Sequence, residues 1–175
     1  MNKRVPSDFF SKDALEIAPK LLGMKLVRQF DNKEILTLEI SDVEVYRGEE
    51  DLACHASKGK TSRNEVMYEK GGKIYVYFIY GMYWLLNITT GEAGHPQAIL
   101  IRGTKQIEGP GRIGKILKLD KSFYGENISH SKKIWIEFGD NTTIEKFVAL
   151  PRVGINYAGE YWSKVPWRFK FEDFL

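Results

Sequence analysis

The sequence predicts a single α+β domain. Three patterns support this prediction: a run of alternating apolar and polar residues from Leu36 to Tyr46, two β-prone runs joined by a short turn at residues 80–82, and two short segments with helical spacing. The 175 residues are 43% apolar and 28% charged, which is typical of a globular protein and not of a disordered one. Because no repeat, low-complexity tract or Ser/Pro-rich linker interrupts the chain, we expect one domain over residues 1–175.

The first predicted element is a short amphipathic helix. Its apolar residues recur at helical spacing, Ser11 precedes them as an N-cap, and Gly23 follows them as a stop signal. The residues of this apolar stripe are Ala14, Ile17, Ala18, Leu21 and Leu22.

The second predicted element is a long, half-buried strand that begins at Leu36. Leu38 and Ile40 lie on the same face as Leu36, and polar residues alternate with them on the other face. If the alternation continues, Glu44 and Tyr46 follow these apolar residues onto the inner face. A β-bulge would reverse that assignment, and the alternation alone does not exclude one.

The third predicted element is a β-hairpin with an aromatic tip. Residues 74–79 and 83–89 are the two strands, and Gly81 supplies the positive φ that a tight turn needs. Tyr80, Met82 and Tyr83 occupy positions where solvent-facing Asn or Asp is usual. Either another element covers this protruding tip, or the tip is a wedge of the kind that unstacks DNA from the minor groove.

Two further strands, at residues 97–102 and 133–138, flank a predicted helix that opens at Gly109-Pro110-Gly111. The helix has an apolar stripe of Ile113, Ile116 and Leu117 beside a basic face of Arg112, Lys115 and Lys118. Its start is close to a nucleotide-binding phosphate loop, but Ile116 replaces the Ser or Thr that ligates magnesium, so a nucleotide hydrolase is excluded. The segment is either a helix N-terminus that holds a DNA phosphate or a turn before a surface helix.

The chain's single cysteine and three histidines limit its metal and disulfide chemistry. Cys54 has no second cysteine to pair with, so we expect no internal disulfide. Adjacent side chains on a strand point to opposite faces, which argues against a catalytic pair of Cys54 and His55. No metal-ligand spacing is present, and we expect no bound metal. A hydrogen-bonded structural histidine is the alternative interpretation of His55.

No segment predicts contact with a membrane. The longest apolar stretch, residues 74–88, is interrupted by Gly81 and Asn87 and is rich in tyrosine. The N-terminus is followed by no apolar core of signal-peptide length. We therefore expect an intracellular protein, cytoplasmic and nucleoid-associated in a prokaryote or nuclear in a eukaryote.

Charge is segregated along the chain although the formal net charge is only +3. Residues 34–51 have a net charge of −6, whereas residues 102–133 have +5 and residues 58–73 have +3. These segments are either solvated faces of a nearly neutral protein or a basic track for a phosphate backbone beside an acidic site.

Glu44 is the carboxylate with the strongest claim to a catalytic role. A carboxylate buried on an apolar face loses hydration, which raises its pKa and lets it accept a proton from a water or hydroxyl. Tyr46 and Tyr77 would provide flat rings beside it, as a pocket for a planar, partly cationic ring requires. The alternatives are a surface strand carboxylate for Glu44 and ordinary core packing for the two tyrosines.

Ordered sequence blocks that carry a family resemblance cover almost the whole chain. They are Leu21-Leu22-Gly23, Val43-Glu44-Val45-Tyr46, His55 with Thr61-Ser62-Arg63-Asn64, the run from Tyr75 to Tyr83 with Asn87, Leu100-Ile101-Arg102, Gly109-Pro110-Gly111, Arg152-Val153-Gly154, Ala158-Gly159-Glu160 and Trp167-Arg168-Phe169. Together they resemble the alkyladenine (3-methyladenine) DNA glycosylases of the mammalian type. That family has Ala where Val45 stands and Pro where Ser62 stands.

The resemblance implies a fold and an activity. The fold is a mixed domain around a curved, largely antiparallel sheet with a protruding β-hairpin, like the C-terminal domain of a formyltransferase. The activity is base-excision repair by a monofunctional glycosylase without metal or cofactor, acting as a monomer on double-stranded DNA that contains damaged purines. The substrates are 3-methyladenine and 7-methylguanine, with hypoxanthine and ethenoadenine as further candidates, and the product is an abasic site.

The resemblance also implies roles for single residues. Glu44 matches the general base that deprotonates the catalytic water, which Arg102 and the backbone carbonyl of Val153 help to hold. The residues that match the base pocket are Tyr46, His55 and Tyr77, which sandwich the flipped base, and Asn87, which crowds the amino group of an undamaged guanine.

The resemblance and the basic segments together imply the DNA contacts. Tyr80 matches the residue that fills the gap left by the flipped base, and Met82 and Tyr83 match minor-groove contacts. We expect four further residues to contact the DNA backbone: Arg63, Gly111, Arg112 and Lys115. Two other function classes use the same features, namely a non-catalytic nucleic-acid-binding module and a small-molecule enzyme on the formyltransferase-like scaffold.

Overall fold

A curled antiparallel sheet organises the fold of residues 4–140 and 146–175, which are the residues that the computed structural model describes. The strands are β1 (Lys25–Gln29), β2 (Ile35–Arg47), β3 (Ile74–Ile79), β4 (Tyr83–Thr89), β5 (Gln97–Thr104), β6 (Ile134–Glu137), β7 (Phe147–Leu150) and β8 (Arg168–Phe171). Neighbouring strands follow the order β3-β4-β5-β2-β1-β6; β8 pairs with β2, and β7 pairs with β8. The predicted α+β class with a largely antiparallel sheet is therefore confirmed.

The helices are short. They are α1 (Ala14–Leu21), α2 (Pro110–Ile116) and α3 (Gly159–Lys164). Single 3₁₀ turns occupy Ser7–Ser11, His55–Lys58, Glu65–Tyr68, Lys121–Phe123, Asn156–Ala158 and Glu172–Phe174. The helix that the described residues form at 159–164 was not predicted from the sequence, nor were β1, β7 and β8. Each has only four to six residues, too few for a periodic pattern to be recognised.

Four of the five predicted stripe residues of α1 are buried, and the fifth, Leu22, is half-buried just beyond the end of the helix. The N-cap also differs. The side chain of Asp13 accepts a hydrogen bond from the backbone N–H of Leu15 at 3.0 Å, so Asp13 is the N-cap. Ser11 ends the preceding 3₁₀ turn, and its hydroxyl donates to the carbonyl of Asp8. The prediction of Ser11 as N-cap is therefore wrong, because the helix begins two residues later.

A β-bulge in β2 reverses the face predicted for Glu44 and Tyr46. The register of β2 against β5 shifts between Ile40 and Asp42 and again between Asp42 and Val43. Ahead of the bulge Ile40 faces the main core, and after it Val43 and Val45 do so. The first shift places one extra residue, Ser41, in β2, and the second places one extra residue, Arg102, in β5. The extra residue in β2 reverses the side-chain alternation of that strand, so Glu44 lies on the opposite face and the simple alternation predicted from Leu36 onward is wrong beyond Ile40.

The hairpin has the predicted strand limits and an exposed tip. Tyr80 and Gly81 both have positive φ, +52° and +65°, and the N–H of Met82 donates to the carbonyl of Ile79. Tyr80 is 85% exposed and Met82 is 62% exposed. No described residue covers these two side chains, and a non-glycine residue at positive φ is held there at some conformational cost.

Helix α2 packs closely on β4 through a glycine. Ile113 and Leu117 are fully buried, and the backbone of Gly114 lies against the carbonyl oxygen of Trp84. Ile116 is 40% exposed, so its predicted place in the apolar stripe is wrong, because it lies to one side of the face formed by residues 113, 114 and 117.

The helices of the described residues include none that is both long and apolar enough to cross a membrane.

Replacing Gly114 with alanine tests this close packing. The added methyl group would lie 1.8 Å from the carbonyl oxygen of Trp84, so helix and strand must separate. We expect the free energy of unfolding to fall by about 3 kcal/mol, measured by urea denaturation. Lys115→Ala, on the exposed face of the same helix, is the control and should change it by less than about 0.5 kcal/mol. Equal unfolding midpoints for the two variants would contradict the packing described here.

Candidate active site

The second face of the sheet brings together side chains from four strands. On this face Glu44 lies opposite Leu100 of β5, and Leu100 also pairs with Asn87 of β4. Tyr75 pairs in turn with Asn87. The face is therefore continuous from β2 to β3, and it lies on the other side of the sheet from the core that contains Val43 and Val45.

Glu44 is completely buried and has three neighbours that favour its charged form. The hydroxyl of Tyr46 donates to Oε2 at 2.8 Å, and the backbone N–H of Val153 donates to Oε1 at 2.8 Å. The Nε atom of Arg102 is 3.5 Å from Oε1. The structure thus brings the three predicted catalytic residues together, although the contact of Val153 with Glu44 is made by its N–H and not by its carbonyl.

Burial and these neighbours act in opposite directions on the pKa of Glu44. Loss of hydration raises the pKa and is the largest effect, whereas Arg102, the Val153 N–H and the Tyr46 hydroxyl lower it. The net result is a pKa above the usual value of 4.5. A carboxylate with a raised pKa is a stronger base than an exposed one.

A second buried carboxylate lies beside Glu44 and has its own arginine. Arg168 of β8 donates to both carboxylate oxygens of Asp42, with distances of 2.7 and 3.0 Å for its two main contacts. Arg102 Nε is 3.9 Å from Asp42 as well. Because Arg168 neutralises Asp42, Arg102 is left with Glu44 as its nearer partner.

An aromatic pocket adjoins Glu44. Its cavity has a volume of about 50 Å³, room for one or two water molecules. Tyr46, His55, Tyr77 and Asn87, the four predicted base-pocket residues, all line it. The remaining lining residues are Ala53, Met67, Tyr75, Ala98 and Tyr157.

His55 is held at the pocket by a loop that Asn64 organises. The Asn64 amide donates to the carbonyls of His55 and Gly59, both at 3.0 Å, and its oxygen accepts from the N–H of Thr61 at 2.7 Å. The ring of His55 packs edge-on against Tyr77, with 4.5 Å between centroids. These bonds explain why an Asn is needed at the end of the 61–64 block.

His55 is neutral at physiological pH. Its Nδ1 lies 2.7 Å from the hydroxyl of Tyr75, and dense packing around the ring, with a smaller effect of Arg63, lowers the pKa of His55 to about 4 although one part of the side chain is open to solvent. A neutral imidazole adds no positive charge to the pocket wall.

Arg63 and Asn87 border the same pocket. The guanidinium of Arg63 lies over the ring of Tyr77 at 5.5 Å, and its side chain is exposed. Asn87 is buried, and its amide donates to the carbonyl of Tyr75 at 3.2 Å. The stacking contact with Tyr77 is compatible with the predicted contact of Arg63 with DNA, because the guanidinium remains accessible.

The predicted DNA contacts of the hairpin and of α2 lie next to each other. A Cβ atom on Gly111 would lie 2.9 Å from the ring of Tyr83, so the start of α2 packs directly on the base of the hairpin. Arg112 and Lys115 project from α2 into solvent. Gly111 therefore has a packing role. Its contact with a DNA phosphate stays a prediction that this packing does not test.

A family model described as methylpurine-DNA glycosylase matches residues 8–108 and 104–174 of the chain. The chain belongs to the methylpurine-DNA glycosylase family. It is accordingly an enzyme, a DNA glycosylase that hydrolyses N-glycosyl bonds, and its function lies in DNA repair.

Three relatives of this family member agree with that assignment, and each is named "Putative 3-methyladenine DNA glycosylase". The relative from Methanocella arvoryzae is 40% identical over 94% of this chain and 90% of its own length. The relative from Borreliella burgdorferi is 37% identical over 94% of both chains. The relative from Natranaerobius thermophilus is 34% identical over 95% of this chain and 94% of its own.

Five residues of the candidate site received no role from the sequence. Arg152 and Asp51 form a buried ion pair beside Tyr46, and Arg168 pairs with Asp42. Tyr157, 72% exposed, lies at the pocket with its hydroxyl 3.3 Å from the carbonyl of Ala53. The Arg152-Val153-Gly154 block was the signal for Arg152, but its partner Asp51 lies 101 residues away.

The two departures from the family pattern lie outside the pocket. Val45 is fully buried in the main core, on the sheet face opposite to Glu44, so its extra bulk does not narrow the pocket. Ser62 is exposed.

Cys54 is buried near the pocket, and burial raises the pKa of its thiol to about 12. Within residues 4–140 and 146–175, no three His, Cys, Asp or Glu side chains are grouped so that they could hold a metal ion.

Tyr46→Phe tests the hydrogen bond to the buried carboxylate. Without the donated hydroxyl, the pKa of Glu44 should rise by roughly half to one unit, measured by ¹³C NMR titration of the Glu44 carboxyl group. Tyr75→Phe removes a neighbouring hydroxyl that contacts His55 instead, so it should leave the titration of Glu44 unchanged. A pKa of Glu44 that is the same in Tyr46→Phe and in the unmodified protein would contradict the geometry.

Proposed function

We propose that this glycosylase excises 3-methyladenine and 7-methylguanine from double-stranded DNA and leaves an abasic site. The names of the relatives support the first substrate. The observation that carries the proposal is Glu44, a fully buried carboxylate next to an aromatic pocket. Burying a carboxylate costs free energy that an apolar side chain at the same position would not cost, so the carboxylate of Glu44 at this buried position favours a chemical role.

The proposed reaction is hydrolysis by an activated water molecule. Alkylation at N3 or N7 places positive charge on the purine and weakens its bond to the sugar, so the leaving group needs little assistance. Glu44 accepts a proton from a water molecule as the water attacks the sugar carbon, and its negative charge stabilises the cationic character that develops on the sugar. Arg102 and the backbone of Val153 hold the water and the carboxylate in place. No lysine is among the described residues that line the pocket, which favours water over an amine as the nucleophile.

The proposed base pocket suits a planar cation. Tyr46 and Tyr77 offer ring faces that attract a positively charged purine more strongly than a neutral one. His55 adds no opposing charge because its pKa is about 4. Asn87 is fixed by its bond to Tyr75, so the 2-amino group of guanine would meet a side chain that cannot easily withdraw. 7-Methylguanine has the same amino group, and the attraction of its positively charged ring to the tyrosine faces is what offsets this contact.

The pocket must widen when a base enters. A purine is several times larger than the one or two water molecules that the 50 Å³ cavity holds. Tyr157 is the lining residue best suited to move, because it is 72% exposed and its hydroxyl makes one hydrogen bond of 3.3 Å in the described structure.

The proposed DNA surface combines the hairpin tip with the basic start of α2. Tyr80 enters the duplex and takes the place of the flipped base, while Met82 and Tyr83 contact the minor groove. Flipping costs a few kcal/mol and costs least for a damaged base that pairs poorly. Arg63, Arg112 and Lys115, with the backbone of Gly111, contact the phosphates.

Glu44→Gln is the decisive test of the catalytic role. The amide keeps the shape of the side chain but cannot accept the proton, so release of 3-methyladenine from methylated duplex DNA should fall by roughly a thousandfold or more. Binding to DNA with an abasic site should persist. Release is measured by chromatography of free bases, with hypoxanthine and ethenoadenine duplexes run in parallel to define the substrate range.

Glu34→Gln is the matched control, since Glu34 is exposed ahead of β2 and should leave release unchanged. An unmodified protein that binds duplex DNA without releasing any purine would indicate a non-catalytic binding module. Absence of both binding and release would favour a small-molecule enzyme. Normal release by Glu44→Gln would remove the catalytic assignment.

Tyr80→Ala tests the wedge. Loss of the ring should weaken flipping and slow base release about tenfold, equivalent to roughly 1.4 kcal/mol of lost stacking. The flipping equilibrium is followed by the fluorescence of 2-aminopurine placed beside the lesion. Phe138→Ala, 45% exposed in the unmodified chain and located after β6 at the opposite edge of the sheet, is the control for loss of an exposed ring. Equal fluorescence changes for Tyr80→Ala and the unmodified protein would contradict the wedge.

A further inference from the structure

The buried pair of Arg152 and Asp51 is more elaborate than a simple salt bridge. Two nitrogens of Arg152 donate to the two carboxylate oxygens of Asp51, at 2.6 and 2.9 Å, and neither side chain is exposed. Arg152 also donates to the carbonyl of Val45 at 2.8 Å. Asp51 accepts further hydrogen bonds from the backbone N–H groups of Arg47 and Ala53. The pair therefore ties the loop after β2 to the loop after β7.

The guanidinium of Arg152 lies between two aromatic rings. Its central carbon is 4.9 Å from the ring centroid of Tyr46 and 5.2 Å from that of Trp167. A planar guanidinium stacks on a ring and restrains its orientation, whereas a lysine ammonium is a point charge on a flexible stem and restrains the ring less. The orientation of the Tyr46 ring, and with it the position of its hydroxyl, is therefore set in part by Arg152.

Both hydrogen-bond donors to Glu44 depend on this one guanidinium. Tyr46 donates to one carboxylate oxygen of Glu44, and its ring packs on Arg152. Val153 donates to the other oxygen, and it is the residue that follows Arg152. No hydrogen bond or ion pair of the described residues joins Arg152 to Glu44 directly. Stability alone is a weak reason for a buried ion pair, because apolar residues of similar size usually serve as well.

We propose that Arg152, held by Asp51, is a positioning residue that fixes the donors of Tyr46 and Val153 on the catalytic carboxylate. This inference rests on the proposed function of Glu44. The arrangement keeps Glu44 oriented toward the water, and it keeps enough donors on the carboxylate for ionisation at the working pH. The charged and titratable groups that face Glu44 are Asp42, Tyr46, Tyr77, Arg102 and Arg168.

Arg152→Lys tests the proposal, because it retains the charge and removes the planar, two-pronged geometry. Both donated hydrogen bonds lower the pKa of Glu44, so their loss raises it, and the base must be ionised to act. The acid limb of the pH–rate profile for 3-methyladenine release should therefore move to higher pH by about one unit. At the optimum, kcat should fall about tenfold or more while KM for the DNA changes less than about threefold.

Arg28→Lys is the matched control. Arg28 is also buried, and its guanidinium donates to the backbone carbonyls of Gln29, Leu117 and Lys133. Its replacement should lower thermal stability without shifting the acid limb. If Arg152→Lys does not fold, Trp167→Leu removes one of the two rings around the guanidinium and should move the acid limb in the same direction by a smaller amount. Folding of each variant is checked by near-ultraviolet circular dichroism.

The outcomes separate this proposal from the proposed function. If a folded Arg152→Lys protein has an unchanged acid limb and an unchanged kcat, the positioning role is overturned and the catalytic role of Glu44 stays intact. The same conclusion follows if Arg28→Lys moves the acid limb as far as Arg152→Lys does. If the unmodified protein releases no base, the proposed function fails. In that case the ¹³C titration of Glu44 decides the structural claim: a higher pKa of Glu44 in Arg152→Lys supports it, and an unchanged one rejects it.

Discussion

The bulge at Ser41 and Asp42 is the constraint on which the site depends. One extra residue in β2 lets a single strand contribute Leu38 and Ile40 to the main core, return Val43 and Val45 to that same core, and still direct Glu44 to the opposite face. The apolar residues on both sides of the bulge fix its position, because a slip of one residue would place a valine in the site and the carboxylate in the core. The burial of Glu44 is thus enforced by the packing of its neighbours.

The two faces of the sheet use different means of stabilisation. The core face is closed by aliphatic side chains and by the close approach of Gly114 to β4. The site face buries charges instead, and those described there are each matched: Asp42 with Arg168, Asp51 with Arg152, and Glu44 with Arg102. Pairs of this kind contribute little net stability after desolvation, but they hold their partners in fixed directions. The charged pairs on the site face therefore fix the directions of their side chains but add less stability than apolar packing would.

The sequence predicted those elements whose positions depend on interactions between residues close together in the chain. The limits of the hairpin, the buried stripe of α1 and the start of α2 follow from spacing and turn residues, and they match the structure. The bulge was recognised as a possibility but not predicted, because the choice between the two faces of β2 is made by β5 and β8, which are distant in sequence. Most individual site residues came from the family resemblance. The pairing of Asp51 with Arg152 came from neither source, since it joins segments 101 residues apart and leaves no periodic signal.

The buried thiol of Cys54 has a consequence for an enzyme that works where DNA is being methylated. Methylating reagents attack the thiolate form of cysteine far faster than the thiol, and a pKa of about 12 leaves almost no thiolate at neutral pH. The cysteine is also almost completely shielded from solvent, in a cluster with Met67 and Tyr75. Reagents that methylate DNA would therefore spare the Cys54 thiol beside the pocket, and the enzyme should not lose activity through methylation of this cysteine.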